Sequence, residues 1–171
     1  MNIAITLAIS FAAACMVHGE EANPLTAEAK QAYTEVRNHI MKSAEKMPEA
    51  EYGFKPAARV RNFGQILGHI AEEQYFYCSS AKGEQKAVDV EKAKTSKADL
   101  IAALQDSFAY CDTVFDGLTD ATAVQMIQVG QSRRTRLRML WADTIHNNSH
   151  YGNLVTYMRI KGLVPPSTEG Q

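Results

Sequence analysis

Apolar residues recur every three or four positions along four stretches of this chain, and polar or breaker residues separate them. Ala29, Ala32, Tyr33, Val36, Ile40 and Met41 share one face if Thr26 to Met47 is helical, with Thr26 as the expected cap and Pro48 as the stop. Phe63, Ile66, Leu67, Ile70, Gln74, Tyr77 and Cys78 trace a second stripe. Asn62 and Gln65 have the spacing of a reciprocal cap at its start. Thr95 or Ser96 opens a third helix that runs to about Leu118, with Leu100, Leu104, Phe108, Cys111 and Phe115 turned inward. A fourth helix is expected from about Ser132 to Lys161, closed by Gly162 and by Pro165 and Pro166. Residues 79–94 read as a long exposed connection, and 121–132 give no firm assignment. Tyr52 and Phe54, in the first loop, cover or plug one end of the bundle. There is no sheet signal, no internal repeat and no glycine-rich phosphate loop, so the pattern predicts an all-α domain.

The fourth helix carries an unusual stripe. Beside Leu137, Leu140, Trp141, Ile145, Leu154 and Met158 run Met139, Asp143, His146, His150, Asn153 and Tyr157. Burying several polar groups is costly unless each is bonded to a partner or to an ion. His146 and His150 are one helical turn apart on one face. Alone, that spacing also describes two surface histidines. A third imidazole, His69, sits at the edge of the second stripe. Three imidazoles that converge would hold a divalent transition metal and leave a position open for water or substrate. Zinc, nickel, iron and copper suit such ligands, and manganese is a further candidate. Glu73, one turn after His69, is a candidate fourth ligand, outer acceptor or general base, set against a solvated glutamate. Asp143, one turn before His146, is a candidate to orient an imidazole, as are Asn147 and Asn153. His39, on the first helix, reads as a partly buried or surface residue.

Length and charge narrow the function classes. The 171 residues suffice for one domain with a substantial core. Eighteen Lys and Arg against 19 Asp and Glu give a net charge of −1, which argues against a nucleic-acid wrapper and a polybasic membrane tether. Residues 1–19 contain no charged side chain, and their apolar run of about 15 residues falls short of the roughly 20 that span a bilayer. They read as a secretory signal peptide, with 20–171 as one exported domain, periplasmic or secreted, and no stable membrane span after cleavage. Cys15 follows Ala12, Ala13 and Ala14 and lacks the leucine expected before a lipidated cysteine. Cys78 and Cys111 then remain, either as a disulfide or as two small buried hydrophobes. Arg133, Arg134, Arg136 and Arg138 form the basic cluster, which reads as an anion site or as a solvated face.

Several blocks resemble the DinB family. They are Tyr52-x-Phe54-x-Pro56, Arg61-x-Phe63, His69, His146-x-x-x-His150 continuing from Tyr151 to Arg159, and the ending from Lys161 to Pro166. The resemblance spans about Thr26 to Pro166. It implies a four-helix bundle with up-down-down-up connectivity, a divalent metal on His69, His146 and His150, and a homodimer. Its superfamily includes thiol-dependent transferases and isomerases; the signal peptide is the departure from that pattern. The expectation is a metal-dependent enzyme that activates water for hydrolysis or a thiol for transfer on a small-molecule substrate. A non-catalytic metal- or ligand-binding bundle of the envelope is the alternative. A bundle whose histidines merely satisfy one another is the third reading.

Overall fold

Each of the four long periodic stretches forms a helix in the computed structural model, which describes residues 22–170. The signal peptide expected over 1–19 and Cys15 lie outside the described residues. Helix α1 spans Pro24–Lys46, α2 Phe63–Lys82 and α3 Lys97–Asp116. A short α4, Asp120–Ala123, leads into strands β1, Met126–Val129, and β2, Ser132–Thr135, and α5 spans Arg136–Ile160. The described residues are mostly helical, with one small sheet. None of the helices among the described residues is long and apolar enough to cross a membrane.

Side-chain pairs fix how the long helices lie. Gly64 of α2 faces Leu100 of α3, the Tyr75 and Tyr110 rings are 5.4 Å apart, and Cys78 is bonded to Cys111, so α2 and α3 run in the same direction. Arg37 pairs with Asp112 while Lys97 donates to the Glu45 and Met47 carbonyls, so α1 and α3 are antiparallel. The α5 helix is antiparallel to α2, with Tyr157 bonded to Arg61 at one end and His146 against His69 further along. It also packs on α1, where His39 stacks on Tyr151. Tyr33, Phe63, Ile70, Leu104, Leu140 and Leu154 fill the core between them.

The local signals at two helix starts are realised. Asn62 Oδ1 accepts from Gln65 N at 2.7 Å while Gln65 Oε1 accepts from Asn62 N at 2.9 Å, and Ser96 Oγ accepts from Asp99 N. The first helix differs from expectation. It begins at Pro24, and Thr26 is a buried residue inside it rather than its cap. Asp120 caps from a distance instead: its carboxylate accepts from Leu25 N and Thr26 N, and its own N–H donates to Asn23 Oδ1. A carboxylate suits the exposed N–H groups of a helix start, and one from 94 residues away replaces the local hydroxyl.

The absence of a sheet was a wrong expectation. Met126 pairs with Thr135 and Val129 with Ser132 in an antiparallel hairpin. Gly130, with φ of +56°, occupies the first place of its two-residue turn, a conformation that favours glycine. Strands of four residues with an arginine-rich second member carry too little alternation to read as β. The hairpin also moves the start of α5 from Ser132 to Arg136, with Thr135 as its cap. Arg133 and Arg134 therefore lie on β2, and only Arg136 and Arg138 of that cluster are on the helix.

The connection between α2 and α3 is not simply exposed. Val90 is buried, and Glu72 Oε1 accepts from both Val90 N (2.6 Å) and Glu91 N (2.7 Å). The loop is drawn onto α2 at Gly68. A Cβ there would lie 2.7 Å from Glu91 Cα and 3.0 Å from Glu91 N. Glycine in mid-helix ordinarily costs about 1 kcal/mol relative to alanine. Propensity alone would therefore make Gly68→Ala stabilising. The contact reverses the sign: we expect the variant to lose about 1–3 kcal/mol as loop or helix shifts, read as a lower denaturant midpoint.

Candidate metal centre

The antiparallel packing of α2 on α5 brings the three expected histidines together. His146 Nε2 is 3.1 Å from His69 Nε2 and 3.1 Å from His150 Nε2. Nitrogens about 2.0–2.1 Å from a tetrahedral ion stand roughly 3.3 Å apart, so this spacing nearly matches a three-imidazole site. The rings meet at steep angles, 66° for His69 with His146 and 85° for His69 with His150, and one nitrogen from each lies within 4.8 Å of the others.

Burial shapes their protonation. Burial lowers the pKa of His69, and the Arg61 cation adds to that effect against Glu73, Glu91 and Glu72. His146 and His150 are each lowered to about 4, by burial first and then by the neighbouring imidazoles. All three are neutral at pH 7, the form that offers lone pairs to a metal. The sign follows for the metal-free protein. Between about pH 6.5 and 4 the unfolded chain takes up protons that folded His146 and His150 refuse. Stability is therefore present above pH 6.5 and lost as pH falls toward 4. Thermal melts of chelated protein at pH 7.0, 6.0 and 5.0 should descend in that order, more steeply than those of His150→Gln.

The groups around the imidazoles are only partly those expected. Asp143 is fully buried, and its carboxylate is grouped with the Cys78 and Cys111 sulfurs rather than with the three histidine nitrogens. With the Gln74 amide oriented to satisfy its neighbours, Nε2 donates to Asp143 Oδ2 at 3.1 Å and Oδ1 at 3.3 Å, while Oε1 accepts from Asn147 Nδ2 at 2.7 Å. Burial raises the Asp143 carboxyl well above the usual carboxylate range, with the Glu73 charge adding to it and Asn147 opposing. The Cys78 and Cys111 sulfurs lie within 4.8 Å of this carboxylate. No described group accepts from His146 Nδ1 or His150 Nδ1. Glu73 acts on His69 and Tyr77 through its charge, and is not among the acidic groups clustered with the imidazole nitrogens. Asn153 is exposed, and His39 lies on the far side of α5 against Tyr151.

The carboxylate beside the triad is one that sequence reasoning missed. Glu91 Oε2 is 3.8 Å from His69 Nδ1, an electrostatic contact longer than a hydrogen bond, and its two oxygens accept from Arg61 Nε at 3.0 and 3.1 Å. Its signals were Gly68 inside a helix and the alternating pair Val88 and Val90 in an otherwise polar loop. Outer partners of metal ligands typically change affinity by about 10–100-fold. Because the Glu91 contact is long, we expect Glu91→Gln to weaken metal binding by about tenfold, measured by competition with a chromophoric chelator.

Comparisons with known proteins agree with this fold. The model of the DinB superfamily matches residues 32–154. A DinB-like protein from Bacillus cereus has 16% sequence identity and a TM-score of 0.71, with 82% of this chain and 95% of that one covered. A second DinB-like protein, from Bacillus subtilis, has 21% identity and a TM-score of 0.66 over 79% of this chain and 92% of the other. A mycothiol-dependent maleylpyruvate isomerase aligns with 14% identity and a TM-score of 0.61, over 75% of this chain and 60% of its own. At these identities the structures share the fold. No curated protein matches the chain.

Proposed function

The chain belongs to the DinB superfamily, and from that premise we propose that His69, His146 and His150 hold one divalent transition-metal ion at the centre of an enzyme site. The observation that carries this reading is the convergence of three neutral imidazoles, with His146 Nε2 3.1 Å from each of the other two Nε2 atoms and all three within 4.8 Å. A cation satisfies all three nitrogens at once. When bound, the ion supplies Lewis-acid activation of a water for hydrolysis or of a thiol for transfer. The chain's own groups do the rest. His69, His146 and His150 fix the coordination geometry, and Glu91 steadies His69 from outside. Glu73, one turn from His69, is the group we assign to take a proton at its carboxylate. Asp143, with Gln74 and Asn147, braces the wall formed by α2 and α5. The metal is zinc, nickel, iron or manganese.

The mature protein acts after export, in the periplasm or outside the cell, as a domain of residues 20–171. The helix-pair directions support the up-down-down-up order. Exposed Trp141 and Ile145 beside Val36 favour a homodimer across the α1–α5 face. Metal-loaded protein should hydrolyse activated esters or transfer a thiol to a soluble electrophile. That activity should be lost on chelation, restored by the ion, and absent from His150→Ala. Activity indifferent to chelation would defeat the enzyme reading and leave the non-catalytic envelope binder, whose metal uptake persists without turnover.

A further inference from the structure

One side of the triad opens into a cleft of about 260 Å³, lined by Arg59, Arg61, Ile66, His150, Asn153 and Tyr157 among others. The segment that carries the two arginines is pinned at several points. Phe63 N donates to Phe54 O, Gly64 N donates to Tyr52 O, and the Tyr157 hydroxyl donates to Arg61 O at 2.9 Å. Phe54 braces the Tyr157 ring edge-on. Glu91, itself held by Glu72 and by the close approach at Gly68, binds Arg61 through Nε. Among the described residues nothing accepts from the Arg61 Nη groups, and nothing accepts from Arg59. One edge of the Arg61 guanidinium is thus fixed and the other is left to the cleft. Its charge bears on all three imidazoles.

The charge balance then favours an anion. Three neutral imidazoles would leave a divalent ion uncompensated, and Arg59 and Arg61 add two further positive charges. Glu91 offsets one, and Glu72 and Glu73 near His69 offset part of the rest, so the excess stays positive and is concentrated on the arginine side of the cleft. A guanidinium fork matches a carboxylate in two parallel hydrogen bonds. The volume lies below the roughly 300–1,000 Å³ of drug-sized pockets, which limits the occupant to a small molecule.

We propose that this cleft is a carboxylate subsite. It takes a small organic acid whose carboxylate pairs with Arg61 and Arg59 while a second donor group on the same molecule reaches the metal position. The inference rests on the metal reading above.

The test uses cobalt-loaded protein and two hydroxamates of equal length, succinomonohydroxamate with a carboxylate tail and butanohydroxamate with a methyl tail. Binding is read from the visible bands of cobalt. Wild type should bind the carboxylate-tailed probe about tenfold or more tighter, the size of a charge-assisted hydrogen bond. Taken as the ratio of the two affinities within each cobalt-loaded protein, which cancels any change at the metal itself, that preference should shrink in Arg59→Gln and in Arg61→Gln and vanish in the double variant. Raising salt from 50 to 500 mM should erode the preference alone. Equal affinities in wild type, or a preference that survives in the double variant, would overturn the subsite while leaving the metal site standing. Failure to retain cobalt in wild type would overturn the metal reading, and the subsite with it.

Discussion

Replacing His146 or His150 with alanine should abolish stoichiometric metal binding while leaving the bundle folded. His146 Nε2 is 3.1 Å from both other Nε2 atoms, so its loss leaves two nitrogens on different helices with no common third. Loss of a direct ligand should exceed the roughly 10–100-fold cost of losing an outer partner. We expect a drop of at least about 10³-fold in affinity, beyond retention through gel filtration. The fold should survive because His146 and His150 are only partly buried and make no hydrogen bond outside the triad. Removing a buried imidazole that resists protonation should raise the stability of chelated protein at pH 5. Circular dichroism and metal content, measured on the same samples, separate the two effects. Full metal occupancy in both variants would refute the triad.

The second large effect concerns the disulfide. Cys78 on α2 and Cys111 on α3 are bonded, with Cα atoms 5.4 Å apart and a sequence separation of 33. In the chain-entropy account, closing a loop of that length stabilises by about 3–4 kcal/mol. The double variant Cys78→Ala with Cys111→Ala should lose about that much. Reduction under denaturing conditions should have the same sign. Because the two sulfurs are fully buried, thiol reagents should fail to reach them in the native protein. Thiol titration of unfolded, unreduced protein should find neither cysteine free. Two free thiols, or a double variant as stable as wild type, would contradict the assignment. The bond also joins the helix that carries His69 to its parallel neighbour α3. Its loss should therefore weaken metal binding less than it weakens folding, since Cys78 lies nine residues beyond His69.

How much of this was legible in the sequence depended on the range of the interaction. Periodicity located the long helices, and the Asn62–Gln65 box and the Ser96 cap declared themselves because each closes within four residues. The triad was legible because helical spacing put His146 and His150 on one face and His69 at the edge of the second apolar stripe, and the family resemblance pointed to the same three residues. What escaped were contacts made across the fold. The Asp120 cap on α1 spans 94 residues, and the return of the 84–94 loop onto α2 depends on a missing Cβ at Gly68. Glu91 was hidden inside a run of polar residues whose composition resembles any solvated loop. Asp143 was placed on the right stripe, yet it is buried against Gln74 and grouped with the cysteine sulfurs rather than with the imidazole nitrogens. The hairpin was too short to show a period of two.

Whether His69, His146 and His150 hold one metal ion is decided by elemental analysis of the mature protein, purified without a metal-binding tag. About one zinc, nickel, iron or manganese ion per chain, lost in His69→Ala, is the expected result. A protein that carries no ion, and gains no thermal stability when any of these is added, would contradict it.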